Sequence, residues 1–141
     1  MKIVCKVDMK SMAVLFGNMR AVLDKEVQIA ADAMYEFGRD VIMLESAVEC
    51  PRDTWALVNS RYINRPTFYA YRVGVKLGYG GSADKKNPKS GQMASGYMVE
   101  VHEDLSKTHP VGKAKFFEDP VRKNAMGMPM HVAGRIRERI F

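Results

Sequence analysis

Several absences narrow this chain before any motif does. No apolar run approaches the ~20 residues that span a membrane. The longest near the start, "SMAVLFGNM", is brief and follows a charged, strand-like segment rather than the basic lead of a secretion signal. The expectation is a protein that stays in a cytoplasm, with no membrane contact. Cysteine is scarce: Cys5 and Cys50 are the only two, which suits reduced, buried thiols better than a disulfide framework. The three histidines form no His-x-x-x-His, and no Cys-x-x-Cys accompanies them, so structural zinc is not expected. Neither G-x-x-x-x-G-K-[ST] nor G-x-G-x-x-G occurs, so no nucleotide or other cofactor is expected.

Acids are the minority, 16 against 22 Lys and Arg, for a net charge of +6. The imbalance is concentrated late. Residues 113–141 hold seven Lys or Arg against three acids, which is +4 of the +6. The terminal "GRIRERIF" sets Ile136 and Ile140 at helical spacing among Arg135, Arg137 and Arg139, so one side packs and the other meets solvent or something acidic, nucleic acid or protein. At 141 residues, 47% apolar and 27% charged, the composition is that of one globular domain.

Periodicity supplies the elements. Ile3, Cys5 and Val7 alternate with Lys2, Lys6 and Asp8, which predicts an opening strand. A short apolar segment over 12–23, interrupted at Gly17-Asn18, predicts one or two helical turns and a break. Asp24 then suits an N-cap. Val27, Ala30, Met34, Phe37, Val41, Leu44 and Val48 step by three and four, predicting a long helix that buries this stripe and ends near Cys50-Pro51. Gly38 is a local weakness within it. In "CPRDTWALVNS", Asp53 or Thr54 can cap a short turn while Trp55 and Leu57 tuck under a sheet. Tyr69, Tyr71, Val73, Val75, Leu77 and Tyr79 alternate as one strand, with Pro66 at its start or edge. Residues 78–96 are rich in Gly, Ser and Lys and predict a flexible loop, with Lys85, Lys86 and Lys89 available to a neighbour or to phosphates.

Residues 97–120 gather His102 and His109 among Glu100, Glu103, Asp104 and Glu118, with Lys113 and Lys115 behind. Acid–base chemistry by the two histidines and Lys113 is allowed in principle, as in a small metal-free nuclease. Ordinary ion pairs of the carboxylates with Lys107 and Lys113 account for the same residues.

The stretch "YMVEVHEDL" with "THPVGKAKFFEDPV" resembles a segment of small tailed-bacteriophage proteins of the head–tail connector, neck or tail-completion family, also labelled minor capsid proteins. There a Val-His-Glu piece precedes His-Pro-x-Gly-x-Ala-Lys-Phe and a C-terminal helix. Upstream, "AVECPRDTWALVNS" is similar to that family's Pro-x-Asp-Thr-Gly turn at the end of a long helix. Trp55 occupies the position where glycine is usual, so the resemblance implies a differently shaped turn.

The resemblance implies that Asp53 and Thr54 cap and turn the chain, Tyr97 and Val101 pack, His102 and Glu103 fix a turn, and Phe116 and Phe117 anchor the C-terminal helix. It implies no enzyme. It implies instead a subunit of a closed homomeric ring, hexamer or dodecamer, between portal or adaptor and tail proteins in the virion, with DNA in the channel. The expected fold is α+β: one long helix on a small, mainly antiparallel sheet, plus a C-terminal helix. A basic nucleic-acid-binding domain is the alternative, using Arg135, Arg137, Arg139 and the lysine loop.

Overall fold

The computed structural model describes residues 9–69 and 72–140. The strand expected over 3–7 lies outside them. The fold is α+β. A long helix, α1 (Met9–Phe37), runs through a single π turn (Gly38–Ile42) into α2 (Met43–Glu49). Cys50 leaves helical geometry at ψ 131° ahead of Pro51, which disfavours helix in the residue before it. The helix end near Cys50-Pro51 is therefore where the sequence puts it.

Its beginning and its buried face are not. Gly17 and Asn18 lie inside α1, so the expected break is absent and Asp24 is mid-helix rather than a cap. The two weak helix formers cost about 1 kcal/mol or less each, which a 29-residue helix absorbs. Of the expected stripe, Val27, Leu44 and Val48 are exposed. For Leu44 and Val48 the π turn explains the slip, because one extra residue in a turn rotates every later side chain by about 100°; upstream of it the buried residues are already Ile29, Ala31 and Ala33 rather than Val27, Ala30 and Met34. Beyond it the buried residues are Ile42, Met43, Ser46, Ala47 and Cys50, and the old stripe faces out.

Gly38 opens that π turn and has a packing reason to be glycine. A Cβ there would sit 2.9 Å from Ile63 Cδ1 and 3.0 Å from Leu77 Cδ2. Those two residues belong to the strands that lie on the helix at this point.

After a short helix α3 (Ala56–Asn59) come four three-residue strands, β1 (Arg61–Ile63), β2 (Thr67–Tyr69), β3 (Arg72–Gly74) and β4 (Leu77–Tyr79). β1 pairs antiparallel with β4, and β2 with β3. The single strand expected over 69–79 is thus divided, since Tyr69 pairs with Arg72 across the ribbon. Asn64 N–H still donates to Lys76 carbonyl at 2.8 Å, so the two ladders are halves of one β-ribbon. Between that bond and the Thr67–Gly74 pair the first strand has Arg65 and Pro66 where the second has only Val75. This is a bulge, and Pro66, which has no N–H to donate, sits in it.

Residues 78–96, expected as a flexible loop, are held by local hydrogen bonds. A 3₁₀ turn (Gly81–Ala83) leads to a small hairpin in which Asn87 N–H donates to Gln92 carbonyl at 2.7 Å, and Asn87 Oδ1 accepts Lys89 N–H at 2.9 Å. Asp84 accepts Ser95 N–H at 3.0 Å and also bonds the Ser95 hydroxyl, closing the first turn of α4 (Ala94–Glu103). Short Asn and Asp side chains fasten backbone without apolar burial, which composition alone does not reveal.

Helices α5 (Glu118–Asn124) and α6 (Gly127–Ile140) complete the fold, with α6 lying on α1. Phe37 meets Gly127 and the His131 ring there, with ring centres 5.5 Å apart. The main core gathers Met43, Ala47, Cys50, Leu57, Val58, Tyr79, Ala94 and Phe116. Tyr79 donates to or accepts from Ser46 Oγ at 2.7 Å, and burial pushes its phenol above the usual range. Burial likewise pushes the Cys50 thiol up to about 12, which leaves it a small hydrophobe rather than a nucleophile. Among the described residues, no helix is long and apolar enough to cross a membrane.

Candidate interaction surface

The structure sorts the residues singled out by sequence into three places. The first is a corner at the C-terminal end of α4, where His102, Glu103, Phe116 and Phe117 meet. Phe116 is 1% exposed and packs edge-on against Tyr79 and His102, with ring centres 5.2 and 5.1 Å away. Phe117 is half-buried beside them, 6.0 Å from the Tyr79 ring. His102 Nε2 accepts the backbone N–H of Glu118 at 3.2 Å. Nδ1 must then carry the proton, and it donates to Glu103 Oε1 at 2.6 Å. Both ring nitrogens are engaged, so His102 offers no free nitrogen to a substrate or a metal.

Lys115 completes the corner. Its backbone N–H donates to His102 carbonyl at 2.8 Å, and its ammonium pairs with Glu103 and, at 3.0 Å, with Glu118. The Lys115 hydrogen bonds hold both carboxylates below their ordinary range. His102, Glu103 and Glu118 have donor atoms within 4.8 Å of one another, but the ammonium already fills the cation's place. The other pairs follow the expectation for Lys107 and Lys113. Lys107 pairs with Glu100 and, at 3.7 Å, Asp104; Lys113 pairs with Asp119 at 2.8 Å and Glu49 at 3.3 Å.

The second place is the turn after α2. Trp55 does not tuck under the ribbon; it is 54% exposed. Its backbone is left-handed, φ 65° and ψ −7°, and it opens α3 without any side-chain cap from Asp53 or Thr54. It is a backbone that a glycine would take without strain. For a bulky residue this conformation costs about 1–2 kcal/mol. Arg52 lies over the indole, its guanidinium carbon 5.1 Å from the ring centre. Leu57, by contrast, is buried as expected.

Beside the indole is a groove of about 220 Å³ lined by Pro51, Asp53, Thr54, Trp55, Leu57, Asn87, Tyr97, Val101 and His109. Lys89 reaches across to Asp53 at 2.6 Å, joining the lysine-bearing hairpin to the turn. His109 has a buried Nε2 with no hydrogen-bond partner. The alternative of acid–base chemistry by His102 and His109 needs them together, whereas they line separate hollows. The sequence carries no signal for Arg52 beyond an arginine three residues ahead of a lone tryptophan.

The third place is the end of α6. Arg135 pairs with Glu36 at 3.2 Å and Glu138 at 3.6 Å, so it fastens α6 to α1. Arg137 and Arg139 are exposed and form no ion pair among the described residues.

Two distant segments are locked together beneath the Trp55 turn. Gly112, at φ 90°, packs so closely on the backbone that a Cβ would fall 2.6 Å from Cys50 C and Pro51 N. Next to it Lys113 N–H donates to Glu49 carbonyl at 2.9 Å. No protein-family model, curated protein or solved structure matches the chain.

Proposed function

We propose that this chain is a structural subunit of the head–tail junction of a tailed bacteriophage, a neck, tail-completion or tail-terminator ring component joining the portal to the tail. The observation that carries the reading is the contact of Gly112 and Lys113 with Glu49, Cys50 and Pro51. The two stretches that resemble that family, whose contacting residues Pro51 and Gly112 lie about sixty positions apart, are a single structural unit here. The glycine of the downstream stretch has a steric reason to be glycine, and Trp55, which stands where the resembling motif has glycine, adopts a left-handed backbone that a glycine takes without strain. His102, Glu103, Phe116 and Phe117 act as turn and anchor, as the resemblance implies.

As a ring subunit the chain uses an exposed apolar and aromatic surface to meet its neighbours, in a hexamer or dodecamer around DNA, with portal or adaptor proteins above and tail proteins below. The test is immunogold labelling of virions of the phage that encodes the chain. Label confined to the junction of head and tail is expected; label on the capsid shell or tail tip, or none, contradicts the reading.

A second reading, duplex nucleic-acid binding, is favoured by one observation: the unpaired, exposed Arg137 and Arg139. It requires the isolated monomer to bind duplex DNA with affinity that falls steeply with salt. Arg137→Ala with Arg139→Ala then reduces that slope by roughly two.

A further inference from the structure

Residues 54–83 contain no acid, and their cations, Arg61, Arg65, Arg72 and Lys76, are all exposed on the β-ribbon or at its bulge. Acids from other elements do line the hollows that border the ribbon: Asp32, Asp40 and Glu103. Two of them are taken, Asp40 by Arg39 at 2.7 Å and Glu103 by Lys115. Asp32 accepts the Gln28 amide at 3.1 Å. Asp84, where the acid-free stretch ends, is followed at once by Lys85 and Lys86. Arg65 and Lys76 form no ion pair among the described residues. The ribbon therefore stays positive after its neighbours are counted.

The pairing sorts the ribbon's residues into two faces of opposite character. Ile63 and Leu77 pair with each other and meet the helix at Gly38. Alternation adds Val75 and Val73 to that inner side, and Phe68, the partner of Val73, joins them because the bulge at Arg65 and Pro66 shifts the first strand by one residue. The outer face takes Tyr62, Asn64, Thr67, Arg72 and Lys76, with Gly74 between the two cations. Among the described side chains of this face none is aliphatic or acidic. We propose that the outer face of the ribbon is a contact surface for the phosphate backbone of duplex DNA. Arg, Lys, Thr, Asn and Tyr are the side chains that bond phosphate and sugar in such complexes, whereas a face that docks on protein carries an apolar centre, which is missing here. Gly74 leaves the strand backbone open to close approach. Two strands about 5 Å apart are also narrow enough for a major groove about 12 Å wide. That the polyanion is duplex DNA rests on the reading of the chain as a head–tail junction subunit. The contact is assigned to the ribbon and not to Arg137 and Arg139 of α6.

The experiment titrates the purified full chain into a short, dye-labelled DNA duplex at several salt concentrations and reads fluorescence anisotropy, with the matching single strand and an RNA duplex of the same sequence alongside. Wild type binds the DNA duplex most tightly, with affinity that falls steeply with salt. Arg72→Gln with Lys76→Gln lowers the affinity about tenfold and reduces the salt slope by roughly two. Arg137→Ala with Arg139→Ala leaves the slope unchanged. Thr67→Glu puts a carboxylate at an exposed position of the same face and removes no cation, and it weakens binding by a similar factor. It decides the matter if the glutamine pair misfolds by circular dichroism.

Absence of duplex binding in low salt at roughly a hundred micromolar, the weak end of non-specific association, overturns the proposal. So does binding that the folded ribbon variants leave intact, a loss that follows the α6 variant alone, or tighter binding of the RNA duplex or the single strand. Virion labelling separates this result from the fate of the broader reading. A labelled junction without ribbon-dependent binding removes the surface and keeps the head–tail role; ribbon-dependent binding with an unlabelled junction does the reverse.

Discussion

Among the described residues two non-glycine positions adopt left-handed backbone, Lys115 at φ 57° and Trp55 at φ 65°, and they hold it in different ways. At Lys115 the chain surrounds the strained residue with its own contacts: a backbone bond to His102, ion pairs to Glu103 and Glu118, and Phe116 sunk into the core as the next side chain. At Trp55 the chain supplies the Arg52 stack and a single backbone bond from Asn59 N–H to its carbonyl at 2.8 Å, and leaves more than half the indole in solvent. Strain at the first place is offset inside the fold. At the second, the described residues supply far less to offset it.

The largest effect expected at the internally satisfied corner comes from its anchor. Phe116→Ala removes the largest fully buried side chain and should destabilise by about 3–5 kcal/mol. A fall in Tm of roughly 10 °C or more in thermal denaturation is the check. Next comes the glycine that joins the two regions. Gly112→Ala forces a Cβ to 2.6 Å from backbone atoms at a φ of 90°, and should cost about 2–4 kcal/mol in chemical denaturation.

A smaller effect sharpens the contrast. Lys115→Gly releases the backbone strain but removes ion pairs, so its stability should fall by under about 1 kcal/mol, measured by urea titration. The smallest is a change in acid sensitivity. The folded-state values of Glu103 and Glu118 lie below their ordinary carboxylate range because of Lys115. Their contribution is therefore present above about pH 4.3, the usual Glu value, and is lost as pH falls through the lowered folded values. Lys115→Gly should flatten the loss of Tm between pH 5 and 3 relative to wild type.

Much of this was legible in the sequence, and the failures have physical causes. The helix end at Cys50-Pro51 was readable because proline dictates the preceding backbone, and the burial of at least one of Phe116 and Phe117 because a phenylalanine pair in a charged segment must go somewhere, though not which of the two. Beyond Gly38 the buried face of the long helix was not readable, since a period count assumes uninterrupted 3.6-residue turns and Gly38 gives no sign that a π turn starts there. The exposed positions Leu44 and Val48 looked like core for that reason. The 69–79 alternation ran through a ribbon whose two strands share one pattern, with no glycine or Asn-Gly pair to mark where Tyr69 and Arg72 face each other. The corner at His102 brings together residues that the sequence singled out, yet nothing local says that Glu118 N–H occupies its Nε2. Trp55 was misplaced because a large aromatic is expected inside, and its backbone geometry leaves no trace in composition.

One measurement tests directly whether the left-handed backbone at Trp55 is strained: the Tm of Trp55→Gly against wild type under dilute conditions. Glycine should raise the Tm by a few degrees, about 1 kcal/mol of released strain. A variant less stable than wild type would contradict the strain at this turn.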